Sequence, residues 1–197
     1  MIEKVQLKII AQVQAGYHLR TQVRSDPNGS YMLVQGKNIN TKNEIAIEYL
    51  TRFFPERKIE PYLIRKGDVL VQAKGNMHYA VCFTSLLENI IAADTFYIVR
   101  LIGKTVQPEF LVWWINQISA QAYLVQNSGG TGIPFISRAV LEEMTIPVPP
   151  IETQTMIVEV DHLWRRQKDL QKLLDDKKEL LIQSICLQSI KKESTHE

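Results

Sequence analysis

Asp68, Gln72 and Lys74 are the residues of this chain whose types and spacing come nearest to catalysis. A carboxylate followed by Gln-x-Lys superficially matches the pieces of a metal-dependent nuclease. Such a site needs acidic groups converging on Mg²⁺ with room for water. The spacing argues against it. On one short strand Asp68 and Gln72 face the same side about 13 Å apart, at ~3.3 Å per residue, too far to share one ion. Asp68 is better read as a turn residue before a strand, with Lys74 at the strand's exit. Methyl transfer has no firmer footing. Pro149-Pro150 is not preceded by Asn or Asp, and no Gly-rich cofactor loop follows a strand. The histidines, His18, His78, His162 and His196, are scattered without metal-ligand spacing. The sequence thus points to no catalytic residue, metal or cofactor of its own.

Binding is the chemistry that remains. Were the ligand DNA, its sequence would be read through base edges by polar and basic side chains, while phosphate contacts position the protein. Loop residues of those types lie throughout the first 140 positions. Lys74, Asn76 and His78 flank the Gly75 turn, and Lys37 and Asn38 follow the first apolar run. Asn127, Ser128 and Thr131 lie in the loop Asn127-Ser-Gly-Gly-Thr-Gly132, whose bare backbone can approach a phosphate closely. Arg20 and Arg24 form a basic loop before the turn signal Asp26-Pro-Asn-Gly29. Ordinary surface solvation is the competing reading for each. The Trp113-Trp114 pair invites a base-stacking reading, but its helical setting favours core packing.

Composition narrows the classes without choosing among them. The 197 residues are 45% hydrophobic, which excludes overall disorder. Net charge is +2. Residues 1–150 hold 15 Lys/Arg against 12 Asp/Glu, and residues 151–197 hold 8 against 9, so the mild basic excess lies before the prolines. Cys82 and Cys186 are far apart, which suits a reducing compartment rather than a disulfide framework. The start, Met1-Ile-Glu-Lys-Val-Gln-Leu-Lys8, carries charges where a signal peptide needs an apolar core, and the expected location is the cytoplasm.

The elements that must position these residues are legible in part. Tyr31–Gln35, Val69–Ala73, Tyr79–Phe83 and Thr95–Ile102 are rich in β-branched and aromatic residues and predict strands. Gly75-Asn76 lies between two of them as a hairpin tip. Glu44–Phe54 suggests a helical turn or two. Pro108–Gln126 predicts one helix, with Leu111, Trp114, Ile115, Ile118 and Ala122 on a face. Ser137 should cap a short helix, Arg138–Glu143, and Thr145–Val148 should return as an edge-like strand.

Pro150 then suits the first turn of a helix, and no Gly or Pro follows from Ile151 to about Lys192. Roughly 40 residues at 1.5 Å each make a rod about 60 Å long, more than a small domain can cover. Val160, Leu163, Leu170, Leu174 and Leu181 form a wide seam, with Met156 in the same rows and Leu173, Leu180 and Leu187 in a third. Gln167, Lys177 and Ser184 interrupt it, as register-setting polar residues interrupt coiled coils. The division expected is a domain at 1–150, a pairing helix at 151–192 and a polar tail at 193–197.

Four segments carry a resemblance to the specificity subunits of type I restriction–modification systems. They are Lys66-Gly-Asp-Val-Leu-Val-Gln-Ala-Lys-Gly75, Pro108-Glu-Phe-Leu-Val-Trp-Trp-Ile-Asn116, Gly129-Gly-Thr-Gly-Ile-Pro-Phe-Ile136, and Leu141-Glu-Glu-Met-Thr-Ile-Pro-Val-Pro-Pro-Ile-Glu-Thr-Gln154. Their order and spacing carry the likeness more than any one alone. The resemblance implies an α/β (α+β) target-recognition domain with a mixed, strand-rich core, followed by a long C-terminal helix. It implies a non-catalytic protein that binds double-stranded DNA and recruits a methyltransferase subunit. S-adenosylmethionine would sit on that partner. Complete family members carry two such units with antiparallel helices, whereas this sequence carries one. The resemblance implies either a half subunit that pairs with a second copy or another half, a homodimer being the simplest case, or a truncated or isolated unit. Two other readings stand beside it: a compact Mg²⁺-dependent nuclease using Asp68 and Lys74, and a protein–protein adaptor with a coiled-coil stalk.

Overall fold

The computed structural model describes residues 2–19, 23–40 and 42–193. It divides into two compact units, one reaching Thr155 and the other beginning at Met156.

The first unit opens with strand β1 (Glu3–Gln6), a single helical turn α1 (Leu7–Ile10) and strand β2 (Ala11–Ala15). Strands β3 (Tyr31–Val34), β4 (Thr51–Phe53), β5 (Val69–Gln72), β6 (Ala80–Cys82), β7 (Ile90–Ala92) and β8 (Phe96–Leu101) follow. The order β2-β8-β5-β6 builds a four-stranded antiparallel sheet. The order β4-β3-β7 builds a second sheet, antiparallel between β3 and β4 and parallel between β3 and β7. The main core lies between them, where Val34 and Ile90 meet Leu70, Val81, Phe96 and Ile98. A second cluster joins Tyr17, Leu33, Phe53 and Ile91, with the Tyr17 ring edge-on to Tyr62 at 5.4 Å. Val69, Leu70 and Val71 are all fully buried. A strand covered on both faces loses apolar alternation, which is why this run is continuous in the sequence.

Helix α2 (Pro108–Ile115) packs on β5 and β6 through buried Phe110, Leu111 and Ile115. The single helix expected over 108–126 is two, because the chain breaks before α3 (Ile118–Gln126). The reason is Asn116. Its Oδ1 accepts from Ala80 N at 2.8 Å and its Nδ2 donates to Ala80 O at 2.9 Å. This side chain extends the free edge of β6 and ends α2. Ile118, expected on the apolar face, is 90% exposed. The helical turns expected over 44–54 reduce to a 3₁₀ turn at Ile47–Tyr49, and Thr51–Phe53 forms β4. The Trp113 and Trp114 side chains are half-buried, with Trp113 stacked on Phe110 at 5.7 Å.

Helix α4 (Arg138–Glu143) begins as expected, with Ser137 Oγ accepting from Val140 N at 3.2 Å. Strand β9 (Thr145–Val148) pairs with β1, Gln6 opposite Thr145 and Glu3 opposite Val148. Helix α5 (Ile151–Glu193) starts immediately beyond Pro150. Its first turn is secured by Gln154, which is fully buried. Gln154 Oε1 accepts from Gln107 N at 2.9 Å, and Nε2 donates to Thr105 O and Pro149 O, both at 2.8 Å.

The second unit is the remainder of α5. Its side chains pair along the helix, with Arg165 Nε to Asp161 Oδ2 at 2.7 Å and Lys168 Nζ 4.1 Å from the Trp164 ring centroid. Val160, Leu163, Leu170, Leu174 and Leu181 are between 47% and 63% exposed. Among the described residues, no helix is long and apolar enough to cross a membrane. The segment 194–197 of the expected tail lies outside the described residues.

Candidate nucleic-acid interface

The residues around Gly75 and the glycine loop come together. Residues Val69–Gln72 and Ala80–Cys82 form the hairpin arms, and the chain between them turns at Gly75. Gly75 has φ +127°, a backbone conformation that strains any side chain with a Cβ, so this position favours glycine. The glycine loop docks on this turn. Gly75 N donates to Pro134 O at 2.9 Å, Ile136 N donates to Ala73 O at 2.9 Å, and Lys74 and Phe135 form an antiparallel bridge. Gly129 and Phe135 close the loop on itself with paired bonds of 2.8 and 2.9 Å. One polar tip thus gathers exposed Lys74, Asn76, Asn127 and Thr131 with half-buried Ser128. Two of these also serve the end of α3. Asn127 Nδ2 donates to Tyr123 O and Ser128 Oγ donates to Val125 O, both at 2.8 Å.

Two expected residues leave this surface. His78 is 1% exposed; its Nδ1 lies 3.0 Å from Gln72 O, and Gln121 Nε2 donates to its carbonyl at 3.0 Å. It locks the hairpin to α3 and does not project beyond the sheet. Asn38 is 2% exposed, with Oδ1 accepting from Gln35 N at 2.9 Å and Nδ2 donating to Tyr49 O at 2.8 Å. Both are buried polar groups fully engaged with backbone, as burial demands. Lys37 beside it is exposed but lines neither of the grooves below. Arg20 lies outside the described residues.

Two open grooves meet at His18. One is lined by Tyr17, Arg24, Asp26, Phe53 and Arg57, the other by Gln14, Lys74, Asp94, Tyr97 and Phe135. In the second, Asp94 Oδ2 accepts from Lys74 Nζ at 2.9 Å and lies 2.7 Å from His18 Nδ1. Partial burial pushes the Asp94 carboxyl up. The hydrogen bonds and charges of His18 and Lys74 outweigh this and hold it below the usual carboxylate range. Gly16, just beyond β2, makes the arrangement possible: an added Cβ would lie 2.1 Å from Ala93 O, so only glycine lets the chain pass this close to the backbone before Asp94. His18, Asp94 and Gly16 escaped the sequence reading. Their proximity spans 76 residues of chain, and no local spacing signals it.

The nuclease reading is overturned at Asp68. This residue is 3% exposed, and its Oδ1 accepts from Arg100 Nε at 2.8 Å. Its Oδ2 accepts from Arg100 Nη2 at 2.6 Å and Arg65 N at 2.8 Å. Donating to Asp68 raises the pKa of Arg100 above its ordinary value, against the opposing effect of burial. Both oxygens are committed to a bidentate pair, which fixes the Lys66-Gly67-Asp68 turn to β8. Among the described residues, no three His, Cys, Asp or Glu gather as a metal site. Burial, then Glu109 and Asp68, pushes the Cys82 thiol up to about 12, far from the range of a nucleophile.

The type I restriction modification DNA specificity domain matches residues 2–180. Solved structures share the fold at low sequence identity. A chain of a type I R-M system, from work on its complex assembly and conformational transition, aligns with TM-score 0.64 and 17% identity over 86% of this chain and 40% of that one. The HsdS subunit from Thermoanaerobacter tengcongensis aligns with TM-score 0.58 and 16% identity over 86% of this chain and 39% of its own. The type I S subunit from M. genitalium aligns with TM-score 0.53 and 15% identity over 83% and 39%. This chain therefore spans about two fifths of the length of these solved chains, 39–40%. No curated protein matches the sequence. With one specificity domain covering residues 2–180 and the mixed α/β head and long helix of the HsdS structures, the chain belongs to the type I restriction–modification DNA specificity family.

Proposed function

We propose that the chain is a half specificity subunit without catalysis of its own. Residues 1–150 read one half of a bipartite double-stranded DNA site. The helix from Ile151 to about Lys192 pairs with a second copy and docks a methyltransferase subunit, which holds S-adenosylmethionine. The observation that carries this reading is the type I restriction modification DNA specificity domain, matched over residues 2–180. The exposed leucine seam of α5 and the polar tip around Gly75 are consistent with the two jobs.

The test is selection from a random duplex library by the full chain, alone and mixed with a type I methyltransferase subunit. A two-fold pair presents one reading surface twice, so the expected motif is an inverted repeat with a fixed spacer. A motif without repeat symmetry points to a different second half. Recovery of no preference in both mixtures, or Mg²⁺-dependent cleavage by the pure chain, overturns the reading.

A further inference from the structure

Lys74 and His18 lie far apart in sequence yet converge on one oxygen, Asp94 Oδ2, at 2.9 and 2.7 Å. The backbone fixes that carboxylate. Asp94 N donates to Tyr17 O at 3.0 Å, and the neighbouring Thr95 O accepts from Ala73 N at 2.7 Å. The side chains are graded in exposure, Asp94 at 21%, Lys74 at 48% and His18 at 65%. The carboxylate is recessed and the two basic groups stand at the groove's rim. A bare carboxylate would repel DNA phosphates, and its basic neighbours remove that penalty at short range.

The chemistry of the pair fits one kind of base edge. The Lys74 ammonium has three N–H donors, and its bond to Asp94 uses one. In the major groove guanine offers two acceptors, O6 and N7, beside the N4 amino donor of cytosine. Lysine suits the first and a carboxylate suits the second. An A·T pair instead splits its acceptors, adenine N7 and thymine O4, on either side of the adenine N6 amino donor and adds a methyl, so one ammonium cannot take both. With Asp94 ionised, the shared proton of the His18 contact sits on Nδ1, which holds the same oxygen, Oδ2, that Lys74 contacts.

We propose that Lys74 and Asp94 form a paired reading edge that selects a G·C base pair in the DNA half-site, with His18 as the positioning residue that fixes the carboxylate. This rests on the DNA-recognition reading above. The experiment repeats the duplex selection with the full chain, in the mixture in which wild type selects its motif, for Lys74→Ala, Asp94→Asn and His18→Ala. Non-specific affinity is measured for each over a salt series. Lys74→Ala and Asp94→Asn should relax the same G·C position by roughly tenfold or more. His18→Ala should weaken preference at that position by less. The non-specific salt slope should stay unchanged in all three. Relaxation at an A·T position, or at two different positions, overturns the pairing. Uniform weakening by Lys74→Ala with a slope lower by about one marks a phosphate contact and also overturns it. A wild-type motif returned unchanged by both variants sinks this inference alone. Failure of wild type to select any motif sinks the recognition reading as well.

Discussion

Asp68 and Asp94 are both carboxylates facing basic partners, and they do different work. Asp68 is 3% exposed and holds Arg100 with two bonds of 2.8 and 2.6 Å. Asp68→Ala strands the Arg100 guanidinium beside the Leu63 carbonyl, and charged hydrogen bonds are each worth roughly 1.5–3 kcal/mol. The expected loss is about 2–3 kcal/mol in denaturant unfolding, while the motif selected by the still-folded fraction stays the same. Arg100→Lys should recover little of it, because an ammonium cannot reproduce the fork. Asp94 has a lowered pKa, so its contribution to stability is present above the unfolded aspartate value near ~3.9 and is lost as pH falls through the lower folded value. The stability gap between wild type and Asp94→Asn should therefore close under acid, as pH falls below about 3.9 and through the lower folded value. Urea midpoints across that range measure it; a gap that survives full protonation contradicts the assignment. Neither ion pair was visible as a pair in the sequence. Asp68 and Arg100 lie 32 residues apart, and Asp94 and His18 lie 76 apart.

Elements with a local cause were legible. Ser137 capped α4, the β-branched runs became β3, β5, β6 and β8, and proline-free residues from Ile151 onward became α5. Elements with a distant cause were not. Strand β7 is a fully buried run, Ile90-Ile91-Ala92, with no alternation to betray it. β1 and β2 are separated by a single helical turn that buries Leu7 and Ile10 but exposes Ile9 at 65%, so neither period survives across the segment. The break between α2 and α3 is imposed by Asn116 reaching Ala80, 36 residues away. The surface of α5 supplies its own test. Leu170 and Leu174 are 57% and 47% exposed, and covering a leucine side chain is worth roughly 1.5–3 kcal/mol. Replacing both by glutamate should turn a dimer into a monomer in sedimentation velocity while the thermal unfolding of the head is retained. A wild-type chain that sediments as a monomer at high micromolar concentration would remove self-pairing and leave a different half subunit as the partner.

At the scale of the whole molecule, the order of segments carried more information than any motif. The Lys66-Gly-Asp strand, the Trp-Trp helix, the glycine loop and the double proline each have an ordinary structural role: a turn tied to Arg100, a cover for β5 and β6, a clasp on the Gly75 turn and the start of α5. Their sequence along the chain matched the family although no single one names a function. The proposed reading surface was half legible for the same reason. Types and turns pointed to Lys74 and Asn76, whereas burial, which the sequence does not display, withdrew His78 and Asn38. The ribbon of β1 and β9 adds a matter of timing. Glu3–Gln6 hydrogen-bond only across to Thr145–Val148, and Leu7 N extends the ribbon to Met144 O at 2.9 Å. At synthesis rates of ~5–20 residues per second, about 7–30 s separate the emergence of the two strands from the ribosome. Throughout that interval β1 is an unpaired edge on a nascent chain. The head closes only when its last strand arrives, immediately before the helix begins to be made.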